Sequence, residues 1–214
     1  GIEFPGSFLP IEGGDDFPAS PFAVTVIAGA ISAAQCVASG SALFYLEAGI
    51  EGTVTVSVAD AFGNSVVPNV GQMAAFVATV VDRQDISQSF DGAISAGAGP
   101  QIVVTYTLTR AGDYRVQLTN LGEPLMCTQE AGAAVECPSL LTVPPDDLDP
   151  NQCVAEGSGT STAQAGIPSL VLVSARDQYM NLRAAGGDNF VADLQVTGVT
   201  SPLTVRNNGN GTYT

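Results

Sequence analysis

The chain has 214 residues, 45% hydrophobic and 13% charged, with 21 acidic residues, six basic ones and a formal net charge of −15. That apolar supply can cover a core and excludes a disordered chain. Six Arg with no Lys and no His exclude the basic clusters that phosphate binding needs and disfavour an anionic membrane surface.

Taken in order, residues 1–19 are Gly-, Pro- and acid-rich and read as loop. Ser20, Pro21, Phe22, Ala23, Val24, Thr25, Val26 and Ile27 alternate and read as a strand opened by proline. A short strand is expected over 31–38. Val54, Val56 and Val58 then alternate with Thr53, Thr55 and Ser57, the period of two that marks a half-buried strand. A turn over 60–64 follows, with Asp60 as cap and Gly63 and Asn64 as residues that accept positive φ at low cost. Further strands are expected over 73–81, weakly within 82–100, over 102–108, over 114–118 after a turn at 110–113, and over 140–143. Between them, Cys127 and Cys137 flank what reads as an insertion. The acidic, proline-rich stretch 144–150 reads as a semi-rigid linker. No stretch of ten residues carries a 3.6-residue period, so no stable helix is expected.

Beyond the linker the text repeats. Residues 35–64 laid over 152–181 without a gap give 14 identities in 30 positions. The offset is 117 throughout: 153 − 36, 166 − 49, 177 − 60 and 181 − 64. A period this long marks whole domains rather than solenoid units of about 20–50 residues. Seven short strands in one period point to an all-β, two-sheet sandwich of immunoglobulin type. The absence of Trp excludes the antibody variety.

Specific phrases carry a resemblance. Ala48-Gly49, the turn Asp60-Ala61-Phe62-Gly63-Asn64, Ala111-Gly112-Asp113-Tyr114 and Ser20-Pro21-Phe22-Ala23-Val24-Thr25-Val26 stand in the first copy. Ala165-Gly166, Asp177 to Asn181 and Asn210-Gly211-Thr212-Tyr213 stand in the second. Together they resemble the filamin-type immunoglobulin-like repeat. The resemblance implies tandem sandwiches: 1–29 as loop and last strand of a preceding repeat, 30–143 as a complete repeat, 144–150 as linker, and 151–214 as a partial repeat. It further implies that a hairpin of the Ala-Gly-x-Tyr kind follows Thr214, or, less in keeping with it, that strand 20–28 completes the second repeat of a neighbouring chain. Two departures stand out: Met180 replaces the turn glycine in the second copy, and an insertion replaces the closing phrase of the first.

Functional candidates are sparse. Without His and Lys, the common general bases and Schiff-base chemistry are missing, and no nucleophile motif compensates, so no enzyme and no cofactor are expected. Asp146, Asp147 and Asp149 could hold calcium at a domain junction, although their spacing matches no calcium-binding loop and acidic linkers ordinarily are only linkers. Cys127, Cys137, Cys36 and Cys153 are disulfide candidates; Cys127 with Cys137 would staple a hairpin, and other pairings stay open. Disulfides imply an oxidising compartment. Asn210-Gly211-Thr212 matches the N-glycosylation acceptor, though the repeat's own strand start generates the same text. The turns at Asp60, Gly63, Asn64 and Asp177, Asn181 read as fold signatures rather than sites. The expected role is a structural and protein-interaction segment of a larger extracellular or cell-surface protein. Its partners would be other proteins, met by strand addition to a sheet edge or by repeat-to-repeat packing. An intracellular cytoskeletal or ciliary scaffold is the alternative that the resemblance implies.

Overall fold

The computed structural model describes residues 25–130 and 132–214. The alternation of valines and threonines does what its period requires. In β2 (Glu51–Ser57), after the short β1 (Val37–Ser39), Val54 and Val56 are buried while Thr53 and Ser57 face water. The chain continues through β3 (Phe76–Asp82), β4 (Ser89–Asp91), β5 (Ala93–Ala96), β6 (Gln101–Thr107), β7 (Gly112–Asn120), the two-residue β8 (Glu123–Pro124), β9 (Met126–Thr128), β10 (Ala134–Glu136) and β11 (Ser139–Val143).

These strands form two sheets, ordered β10-β9-β1-β2-β6-β5 and β11-β7-β3-β4. All pairs are antiparallel except β1 with β9. Between the sheets lies one core, to which β2 gives Val54 and Val56, β6 gives Ile102, Val104 and Tyr106, β3 gives Phe76 and Val80, and β7 gives Tyr114, Val116 and Leu118. Leu141 and Val143 of β11 close it. The molecule is therefore an all-β sandwich of immunoglobulin-like type.

Local text overrode expectation in places. The strand expected over 31–38 divides into a 3₁₀ turn, Ala33–Gln35, and β1. A single helical turn, α1 (Val70–Met73), precedes β3; Asn69 accepts from the Gln72 amide at 2.9 Å and Gln72 returns the bond at 3.0 Å. That reciprocal cap holds a turn too short to show a period. The stretch 82–100 contains both β4 and β5. Of the strand expected over 20–27, residues 20–24 lie outside the described residues, and 25–27 carry no strand pairing.

The 117-residue offset reappears as geometry. After β12 (Val154–Glu156), β13 (Leu172–Ser174), β14 (Ala192–Val196), β15 (Val199–Leu203) and β16 (Thr212–Tyr213), the pairing of Val154 with Ser174 repeats that of Val37 with Ser57. Val173, the counterpart of Val56, pairs Tyr213 where Val56 pairs Ile102, so on the partner strand the offset is 213 − 102 = 111. Gly40 and Gly157 hold φ of 135° and 111°, and a Cβ on them would lie 2.7 Å from Thr53 O and 2.5 Å from Leu170 O. Only glycine lets the two backbones come this close.

Packing does not repeat. The whole hydrophobic core cluster lies between Cys36 and Val143, whereas the buried hydrophobics described beyond 144 are Ala175 and Tyr213. The β14–β15 hairpin leaves Leu194, Val196 and Leu203 about half exposed. In the first unit, β3 pairs β7 along seven residue pairs; among the described residues β14 pairs only with β15.

Candidate functional site: the junction between the repeats

The recurring turn is built around a buried carboxylate. Asp60 Oδ1 accepts from the amides of Phe62 and Asn64, both at 2.9 Å, and Asn64 Nδ2 donates to Oδ2 at 2.9 Å. In the second copy, Asp177 Oδ1 accepts from Tyr179 at 2.9 Å and Asn181 at 2.8 Å, and Asn181 Nδ2 donates to Oδ2 at 2.7 Å. Such donors favour the ionised form. Led by the Asn64 side chain and then the Gly29 backbone amide, they hold the Asp60 carboxyl down to about 2.

The second carboxylate oxygen reaches beyond its own turn. Asp177 Oδ2 accepts from the Asp146 amide at 2.9 Å, and Asp60 Oδ2 accepts from the Gly29 amide at 2.7 Å. Again 146 − 29 = 117. Leu148 bridges Asp177 as Ile31 bridges Asp60. Each turn therefore clamps the segment that enters its own unit.

In the second copy the same turn also grips the first. Asn181 Nδ2 donates to Thr109 O at 2.7 Å, and Asn181 Oδ1 accepts from the Ala111 amide at 2.9 Å. One side-chain amide thus satisfies a carbonyl and an amide of the β6–β7 turn, groups that no longer belong to a ladder. Beside it, the Tyr179 ring lies on Gly49, where φ is 83° and a Cβ would stand 2.0 Å from the tyrosine oxygen. Gly49 is held in place by its amide, which donates to Leu108 O at 2.7 Å. The Ala-Gly turn and the β6–β7 turn of the first unit form a socket, and the 177–181 turn is the plug.

Linker polar groups complete the junction. Gln178 Nε2 donates to Asp146 Oδ2 at 2.6 Å, and Arg183 Nη1 donates to Asp146 O. Met180 takes φ of 68°, close to the 80° of Gly63, and Arg176 Nη1 donates to its carbonyl at 2.6 Å. Two of the calcium candidates, Asp146 and Asp149, make side-chain hydrogen bonds here. The Asp146 carboxylate is engaged by Gln178, which holds it below its usual value, and Asp149 Oδ1 accepts from Asn151. Among the described residues no three His, Cys, Asp or Glu side chains group as a metal site, and Asp147 joins no such group.

Cys127 and Cys137 are bridged, tying β9 to the end of β10. Cys36 and Cys153 are free thiols, so the open pairings of these two are not used. Cys36 is buried in the first unit's core, where desolvation pushes its thiol up. Asn210 stands in an exposed turn, its Oδ1 accepting from the Thr212 hydroxyl at 2.7 Å.

The turn residues, read from sequence as a fold signature, were seen; their reach across the junction was missed. The available signal was an aromatic pair at one repeat position, Phe62 and Tyr179. The linker amide gave none, because any residue but proline supplies it.

No family model matches the sequence. Among solved structures, the chain is similar to invasin, described as a bacterial integrin-binding protein, at 14% identity and a TM-score of 0.51, over 87% of this chain and 34% of that one. It also matches FdeC, an Escherichia coli adhesin, at 19% identity and TM-score 0.49, over 89% and 57%. The Lin-41 filamin domain matches at 12% identity and TM-score 0.41, over 54% and 97%. The chain thus spans 57% and 34% of the two bacterial proteins. The invasin likeness is one of fold.

Proposed function

We propose that the chain is a non-enzymatic spacer and protein-interaction segment of a larger extracellular or cell-surface protein, of the adhesion or appendage kind. In this reading, 30–143 is a complete repeat, 144–150 a linker, 151–214 part of a second, and 1–29 the end of an earlier one. The observation that carries it is the junction: Asn181 and Tyr179 meet the first repeat through groups that are backbone on the receiving side, while Asp177 holds the linker at Asp146. A joint of this kind sets the angle between neighbouring repeats and so gives reach. The similar fold in an integrin-binding protein and an adhesin agrees with such a role.

Further observations support the location and the partners. A disulfide belongs to oxidising compartments, and a net charge of −15 favours solubility of the separate molecules. The β14 edge unpaired by β15 and the apolar groove lined by Val171, Val173, Phe190, Ala192, Leu203 and Val205 suit an added strand from a protein partner. Counting thiols in the denatured, unreduced protein tests the location. Two free thiols per chain are expected; four would overturn it in favour of an intracellular scaffold.

A further inference from the structure

The plug exists twice, but only one copy is seen seated. Asp60, Phe62 and Asn64 reproduce Asp177, Tyr179 and Asn181 atom for atom within the turn, including the clamp on the entering segment. Tyr179 is 36% exposed against its socket, whereas Phe62 is 88% exposed. Among the described residues nothing sits on Phe62. At the far end the relation inverts. A Cβ on Gly49 collides with Tyr179, but one on Gly166, its repeat counterpart with φ of 80°, meets nothing within 4 Å. Each repeat therefore carries a plug at its entering end and the glycine of a socket at the other. Contacts made by two different patches run head to tail, each repeat receiving one neighbour and seating on another.

We infer that the Asp60, Phe62, Asn64 turn is a docking surface for another repeat of this kind on its amino-terminal side. Phe62 lies on that repeat's Ala-Gly turn, and the Asn64 side chain pairs with a carbonyl and an amide of its β6–β7 turn. The inference rests on the spacer reading and extends it by naming a partner for a surface that is bare in the described structure. The occupant follows from the seated junction at Tyr179 and Asn181. The receiving groups there are a positive-φ glycine and two backbone atoms, which a repeat of the same kind presents in the same places. Asn64 has the side chain to meet them, and Phe62 matches the ring of Tyr179 without its hydroxyl.

The chain contains no Trp, so single tryptophans report each plug separately. In the full chain, Tyr179→Trp reads the seated plug and Phe62→Trp the bare one. In a chain with residues 29–145 duplicated in frame, residue 145 is followed by residue 29, the counterpart of 146, so a first repeat precedes the Phe62 plug. Acrylamide quenching of Phe62→Trp in the downstream copy is expected to fall about two-fold from its value in the undoubled chain, following the exposures of 88% and 36%, to that of Tyr179→Trp. Adding Asn64→Ala to that copy is expected to restore the higher quenching. Unchanged quenching on duplication, while Tyr179→Trp stays shielded, overturns the docking inference and leaves the spacer reading standing. If Tyr179→Trp quenches as freely as Phe62→Trp in the undoubled chain, the junction is absent and both fall.

Discussion

The two copies share the β1–β2 pairing, repeated residue for residue in β12–β13, yet they differ in what covers it. In the first, two sheets close over Val54, Val56, Ile102, Tyr114 and Leu118. In the second, the equivalent strands β12 and β13 keep their register while Leu194, Val196 and Leu203 stay about half exposed. Register is set by local text, namely the turn, the glycine of close approach and the alternation. Stability comes from the opposing sheet, and here it resides mostly in the first copy. The turn that both share serves at the same time as strand cap, linker clamp and, in the second copy, plug.

The largest effect should fall on that asymmetry. Leu118→Ala deletes buried core in β7 and is expected to cost about 2–5 kcal/mol. Leu194→Ala, on a half-exposed side chain, should cost under about 1 kcal/mol. Chemical denaturation of both variants checks this, and equal losses would break the comparison. Cys127→Ala with Cys137→Ala is next: opening a short loop of this length should cost about 2–3 kcal/mol. The melting transition of the first copy should move and that of the second should stay.

Smaller effects sharpen the comparison of the turns. Asn181→Ala removes two bonds across the junction and should cost about 1–2 kcal/mol of coupling. Asn64→Ala, which crosses no described junction, should lose only its turn bonds. Met180→Gly relieves a side chain held at φ 68° and should stabilise the second copy by about 0.5–1 kcal/mol, read from its unfolding midpoint. The pH dependence comes last. Asp60 is depressed to about 2 in the folded protein, against about 3.9 when unfolded. Its contribution is complete above about pH 4 and is lost as pH falls towards 2. Asp60→Asn should flatten that limb of an acid-unfolding curve.

Much of this was legible in the sequence. Valine–threonine alternation located β2 and β6, and the matched turns at 60–64 and 177–181 exposed the repeat. The helical turn at Val70–Met73 was not legible, because a four-residue element held by the Asn69–Gln72 cap has no period to read. The clamp on Gly29 and Asp146 escaped for a different reason: its donors are backbone amides, so sequence identity is irrelevant to them. Asn181 looked like a turn residue because it is one. Its second role depends on where the first copy's β6–β7 turn lies, which is long-range geometry that no local pattern encodes.

The proposed spacer role requires a fixed junction between the copies. Residual dipolar couplings of the full chain, fitted separately for 30–143 and 151–214, measure it most directly. One shared alignment tensor is predicted for the unaltered chain, separating into two on Asn181→Ala combined with Tyr179→Ala. Two independent tensors in the unaltered chain would contradict it.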